Sequence, residues 1–169
     1  GVDYITNGTK ITFFGTLSAP LGANDSVQIS LDGGASWDFA IVTGTDWEYD
    51  PLLDGTYQVT VRVIDTAGNV GSTATIQLVV DTSVPVISSG STVTANPNGT
   101  VSVVGGPGTA EAGTTVSVQF PDGTSGTGRV AADGSYGPIT SLAPQTSGST
   151  SVSLTDIAGN VSTAAALPF

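Results

Sequence analysis

Tyr57, Val59, Val61 and Val63 alternate with Gln58, Thr60 and Arg62, the period-two signature of a strand with one buried face. Ile76, Leu78 and Val80 resume the alternation after the turn Asp65-Thr66-Ala67-Gly68-Asn69. Shorter apolar runs predict further strands at 11–17, 27–31, 39–42 and 47–49, and then at 101–104, 115–120, 129–131, 136–140, 149–154 and 162–167. Turn residues interrupt the chain throughout, with 23 glycines and 9 prolines, so no segment sustains a helical period. The expected class is all-β.

The pattern is written twice. Asp65-Thr66-Ala67-Gly68-Asn69-Val70 recurs as Asp156-Ile157-Ala158-Gly159-Asn160-Val161, an offset of 156 − 65 = 91, and Asn7-Gly8-Thr9 recurs as Asn98-Gly99-Thr100 at the same offset. The segment 27–33 resembles 116–123 at an offset near 90. Under this register Asp133-Gly134-Ser135-Tyr136 lies near Asp46-Trp47-Glu48-Tyr49 and does not align with the more similar Asp54-Gly55-Thr56-Tyr57, which is offset by 79. The copies are therefore of different subtypes. The boundary is expected at Asp81, where a strand ends and Pro85 denies the chain a continuous ladder. Two tandem immunoglobulin-like β-sandwich domains, 1–81 and 82–169, are the expected architecture, since six or seven short strands fit in each copy.

Composition removes most chemistry. The chain has no histidine and no cysteine, so the usual general base, zinc ligands, thiolate nucleophiles and disulfides are missing. An enzyme is not expected. Lys10, Arg62 and Arg129 face 14 acidic residues for a net charge of −11, which repels phosphate backbones and anionic lipid. Nucleic acid is excluded as a partner, and no apolar run approaches the roughly 20 residues of a membrane helix, so no membrane insertion is expected. The chain reads as a monomeric fragment, any export signal lying outside it.

All the acids except Glu48 and Glu111 are aspartates, a residue that favours turns, where short carboxylates converge on hard cations such as Ca2+. Asp65 continues the inward phase of 57, 59, 61 and 63, and Asp156 that of 152 and 154, so each carboxylate sits at the inner lip of its sandwich and needs a partner. Either it accepts N–H bonds across its own turn, with Gly68 or Gly159 supplying positive φ, or it ligates a metal; the two are compatible.

Ser30-Leu31-Asp32-Gly33-Gly34-Ala35-Ser36-Trp37 fits the Asp-box pattern known from sialidases. It is read as a hairpin turn, because a site for a sialic carboxylate needs clustered arginines and this chain has one per copy. Trp37, Phe39, Trp47 and Tyr49 lie close in sequence, so a carbohydrate-binding module with Trp37, Trp47 and Tyr49 as its platform is the alternative function. Core packing is the competing reading of the same residues.

Taken together, the segments 15–18, 27–34, Asp54-Gly55-Thr56-Tyr57, 62–69 and Val80-Asp81-Thr82 resemble the bacterial Ig-like repeats of giant, type I-secreted surface adhesins of the RTX and biofilm-associated kind. The segment 109–116, with Pro121-Asp122-Gly123 and Asp133-Gly134-Ser135-Tyr136, resembles another subtype of the same repeats. The resemblance implies an extracellular, cell-surface extender that supports attachment or biofilm formation, partnered by neighbouring Ig-like domains and stiffened by Ca2+ at the junctions. In an immunoglobulin topology Asp156 and Asn160 would then approach Asp81 together with Asp50 and Asp54, while Asp65, Asn69 and Asp3 would serve the opposite junction. Copy two departs from the pattern, with Thr146-Ser147-Gly148 in place of the turn that carries Tyr57.

Overall fold

The computed structural model describes residues 4–169, and among these every regular element is a β-strand. The chain divides into two compact units, the first ending at Thr82 and the second running from Ser83 to Phe169.

Unit 1 contains β1 (Tyr4–Thr6), β2 (Ile11–Thr16), β3 (Ser26–Ser30), β4 (Asp38–Phe39), β5 (Ile41–Thr43), β6 (Asp46–Leu52), β7 (Gly55–Ile64) and β8 (Val70–Val80). One sheet has the order β1-β8-β7-β3-β4, the other β2-β6-β5. The long alternation seen in the sequence is the β7/β8 hairpin, which pairs Tyr57 with Leu78, Val59 with Ile76 and Val61 with Ala74. Its inward residues Val59, Leu78 and Val80 meet Ile29 and Leu52 in the core, with Trp47, Tyr49 and Tyr57 packed partly against them. Burying each such aliphatic side chain contributes about 1.5–3 kcal/mol. Tyr57 also donates its hydroxyl to the Leu53 carbonyl at 2.9 Å, tying the start of β7 to the preceding corner.

Unit 2 contains β9 (Ser91–Ala95), β10 (Val101–Gly105), β11 (Thr115–Gln119), β12 (Ser125–Arg129), β13 (Tyr136–Thr140), β14 (Ser149–Thr155) and β15 (Ala165–Pro168). Its sheets are β13-β10-β9 and β12-β11-β14-β15. The second repeats the β4-β3-β7-β8 order of unit 1, and β13 stands on β10 as β6 stands on β2. Tyr136 at the start of β13 thus corresponds to Asp46 at the start of β6, an offset of 136 − 46 = 90, close to the 91-residue register. Val103, Val116, Val118, Phe120, Val152 and Leu154 form the core, each almost fully enclosed. In place of a tyrosine at the missing corner, Tyr136 is buried and its hydroxyl lies 2.6 Å from Ser91 Oγ.

Three local expectations change. The strand expected at 39–42 is two strands in different sheets, β4 and β5, with the chain crossing at Ala40, whose N–H donates to the Val27 carbonyl. The strand expected at 129–131 lies earlier, at Ser125–Arg129, because Asp133 and Gly134 already belong to a turn in which Gly134 has φ +82°. Strands β1 and β9 have no counterpart in the sequence reading.

Candidate functional site

The repeated turn is the first place to look for chemistry. After β7 the chain reverses at Asp65, whose N–H donates to the Asn69 carbonyl at 3.1 Å while Gly68 N–H returns to the Asp65 carbonyl. Asp65 Oδ1 accepts the N–H groups of Ala67 and Asn69 at 2.9 and 2.8 Å, and Oδ2 accepts the Asn69 side-chain amide at 2.7 Å. Gly68 has φ +89°, a conformation glycine adopts without penalty. After β14 the same construction recurs: Asn160 N–H donates to Asp156 Oδ1 at 2.9 Å, its side-chain amide to Oδ2 at 2.8 Å, and Gly159 has φ +93°. Both carboxylates close their own turns, one of the two roles read from the sequence.

These bonds favour the ionised form. The Asn69 amide, with the N–H groups of Asn69 and Ala67, holds the Asp65 carboxyl below the usual carboxylate range. Burial pushes Asp156 up, and the hydrogen bonds from Asn160, Gly159 and Ala158 outweigh it, so this carboxyl too is lowered. Carboxylate oxygens have about four acceptor positions in all, so a turn with three of them filled keeps room for one more ligand.

The other acids named from the sequence are spread more widely. Asp54 Oδ1 accepts the Thr82 N–H at 3.1 Å, which brings its carboxylate to the residue following Asp81, and the Asp81 N–H donates to the Thr6 carbonyl. Asp50 lies exposed in β6. Asp3 falls outside the described residues. Among the described residues no three acidic side chains gather into one group. Hard-oxygen donors at the Asp54 and Asp81 corner suit Ca2+ in kind, but Ca2+ takes 6–8 oxygens, so carbonyls or water must complete any shell there.

The Asp-box turn is fully explained by its own bonding. Asp32 Oδ1 accepts the N–H groups of Ala35 and Ser36, Oδ2 accepts the Ser36 hydroxyl at 2.6 Å, and Ser30 Oγ both donates to Asp32 and accepts from Gly34 N–H. The Trp37 indole N–H closes the loop on the Gly34 carbonyl at 3.0 Å. The aromatic side chains proposed as a sugar platform do not present one open row: Trp47 and Tyr49 pack toward the core, Tyr49 donates to Asp38, and Trp37 lies under Arg62. Among the described residues of this unit the exposed aromatic rings are instead Tyr4, Phe14 and Phe39, and alternation alone did not single out Phe14 because it directly follows the inward Phe13.

Comparison with known proteins gives a consistent assignment for each unit. Residues 1–82 match the family model described as bacterial Ig-like domain, and residues 82–169 match that described as bacterial Ig domain. Among solved structures the fold is similar to the chicken CNTN1 FN1–FN3 domains, at 18% identity and TM-score 0.49, over 99% of this chain and 65% of that one. It is similar also to a structure of a 1.5-MDa bacterial ice-binding adhesin (25% identity, TM-score 0.40, 94% of this chain and 56% of that one). A third is the BSP domain of a biofilm-associated protein (16% identity, TM-score 0.35, 98% of this chain and 28% of that one). The chain spans less than two thirds of each of these. No curated protein matches it.

Proposed function

Because the chain belongs to the bacterial Ig-like domains, one in each unit, we propose that it is a non-enzymatic extender segment of a bacterial cell-surface adhesin. The observation that carries this reading is the tandem itself: two sandwiches of related topology, each closed around its own core, with bonded turns in place of a catalytic group. Such modules add length in steps, and their surfaces need only remain soluble, for which a net charge of −11 suffices. The adhesin part rests on the resemblance of the segments around Asp54, Asp65 and Asp81 to adhesin repeats.

Calcium is the finer part of the proposal. Each unit has about 80 residues, for which roughly 0.05–0.15 kcal/mol per residue gives about 4–12 kcal/mol of stability without metal. Extracellular modules bind Ca2+ with dissociation constants of about 10⁻⁴–10⁻³ M, so at ~1 mM one site adds about 0.4–1.4 kcal/mol. That increment is small beside folding and large beside the energy that holds a short linker still. We therefore assign Ca2+ the role of rigidifying domain junctions, with Asp54, Asp81 and Asp50 as oxygen donors at one end of unit 1, Asp65 and Asn69 at its opposite end, and Asp156 and Asn160 as the donors of unit 2.

Small-angle scattering of the chain in 1 mM Ca2+ and in chelator (the ~1 mM regime above) tests this. A profile that tightens with Ca2+, and loosens in Asp81→Ala while circular dichroism holds, supports it. A profile indifferent to Ca2+ removes calcium from the account, and hydrolytic turnover or glycan-array binding by the purified chain would remove the extender reading.

A further inference from the structure

Four Asn-x-Ser/Thr triplets occur in the chain, starting at Asn7, Asn24, Asn98 and Asn160, and none has proline in the middle. In such a triplet the asparagine amide nitrogen is an acceptor for an N-linked sugar, provided that it lies on an open loop. The fold treats the four differently.

Asn160-Val161-Ser162 is closed at both ends. Asn160 is buried and donates its side-chain amide to Asp156 Oδ2 at 2.8 Å, and the oxygen of the buried Ser162 hydroxyl accepts the Leu154 N–H. Asn24-Asp25-Ser26 starts on an exposed turn, yet Ser26 already belongs to β3, where it pairs with Ile64 of β7. Asn7 is exposed, but the side-chain bond of its turn runs from Gly8 N–H to Thr6 Oγ1 and leaves Thr9 out.

Asn98-Gly99-Thr100 is both open and organised. It forms the exposed tip between β9 and β10, in which Gly99 N–H donates to the Asn96 carbonyl and Asn96 N–H to the Thr100 carbonyl. Gln145 N–H holds the tip from outside, at the Gly99 carbonyl. Asn98 Oδ1 accepts the Thr100 hydroxyl at 2.7 Å and the Thr100 N–H at 3.1 Å. The hydroxyl proton is aimed at Asn98 because the Asn96 side-chain amide donates to the same Thr100 oxygen at 2.9 Å. With Oδ1 engaged in the loop, the exposed Asn98 side chain keeps its Nδ2 without a partner among the described residues.

We propose that Asn98 is the acceptor for a single N-linked hexose, transferred from a nucleoside diphosphate sugar. Nδ2 forms the bond to the anomeric carbon as that carbon's bond to the diphosphate oxygen breaks, the electron pair leaving with the nucleoside diphosphate. Nδ2 gives up one proton to a base of the transferase. Negative charge then grows on Oδ1, where the Thr100 hydroxyl and N–H already point. Asn96 is a positioning residue for that hydroxyl. The sugar adds bulk and hydration at the tip without adding to the charge of −11.

The test incubates the full 169-residue chain with UDP-glucose and a soluble N-glucosyltransferase that reads Asn-x-Ser/Thr, and maps hexose by peptide mass spectrometry. A synthetic peptide of residues 94–104 serves as the unfolded acceptor. The expected result is hexose on Asn98 of the chain and none on Asn160. Thr100→Val should abolish transfer to Asn98 and Thr100→Ser retain it, with circular dichroism unchanged in both. Asn96→Ala, which leaves the triplet intact, should slow transfer about two- to tenfold in the folded chain and leave the peptide's rate unchanged. A chain that takes no hexose at Asn98, or takes it as fast at Asn160, overturns the proposal. Equal slowing of chain and peptide by Asn96→Ala removes the positioning role, because the transferase would then be reading sequence alone.

Discussion

The guanidinium carbon of Arg62 stands 3.7 Å from the centre of the Trp37 ring, and its Nε and Nη2 both donate to Gln28 Oε1, at 2.9 and 2.7 Å. Arg62 thus bridges β7 to β3 and covers the ring that closes the Asp-box turn. Asp32 within that turn is held far below the usual carboxylate range, chiefly by the Ser36 hydroxyl and then by the Ser36 N–H and Ser30. The cation is occupied in structure and the carboxylate in shaping a bend.

Arg62→Lys keeps the charge and loses both the planar stacking and the paired donation to Gln28. At a partly exposed site the cation–π share is about 0.5–1 kcal/mol, so the unit 1 denaturation midpoint should fall by that much with an unchanged slope. A shifted tryptophan emission should accompany it. An unchanged midpoint would mean that the stack contributes nothing to stability.

The glycines of the turns separate backbone strain from crowding. Gly68 has φ +89° with open space where a Cβ would go, so Gly68→Ala should cost only the left-handed penalty of about 1–2 kcal/mol. Gly134 has φ +82°, and a Cβ there would lie 2.8 Å from the Ala110 carbonyl oxygen and 2.9 Å from Gly108 N, so Gly134→Ala adds an overpacking cost of about 1–3 kcal/mol. Urea titration of the two variants should rank them in that order, and equal losses would contradict the crowding argument.

Two separate cores should unfold separately. Leu154 is fully buried in the unit 2 core, and Leu154→Ala should cost about 2–5 kcal/mol there, which for a domain of this size lowers its melting point by about 4–8 °C per kcal/mol. Calorimetry should show one transition moving and the other staying. A single transition that moves as a whole would show the units to be one cooperative body.

What could be read from the sequence follows from which interactions are local. The β7/β8 hairpin was legible because its polar face is solvated and its apolar face buried, leaving a clean alternation from Tyr57 to Val63. Strand β12 was not, because its inward positions are Gly126 and Gly128: Ile139 of β13 fills their space, and a Cβ at Gly126 would sit 2.6 Å from it. Packing from a distant strand thus erased the apolar signal. The Asp65 and Asp156 turns were legible as a repeated hexapeptide whose bonds span four residues.

Acid should destabilise the chain through these same turns. Asp65, Asp122, Asp133 and Asp156 all have lowered carboxyls. Asp65 is held by Asn69, Asp122 by Thr124 and Gln145, and Asp133 by Ser135, while in Asp156 burial is outweighed by the bonds from Asn160. In the unfolded chain each returns toward the ordinary value of 3.8, so near and below that pH the unfolded state binds more protons than the folded one, and stability rises with pH. The stabilisation is complete above the unfolded value and is lost as pH falls through the lowered folded values. Denaturation midpoints should therefore be flat across about pH 5–8 and decline from about pH 4 downward. Asp65→Asn with Asp156→Asn removes two of the titrating groups while keeping an acceptor oxygen in each turn, so the double variant should start less stable at neutral pH and decline less steeply in acid. An acid limb as steep as that of the parent would place the sensitivity outside these turns.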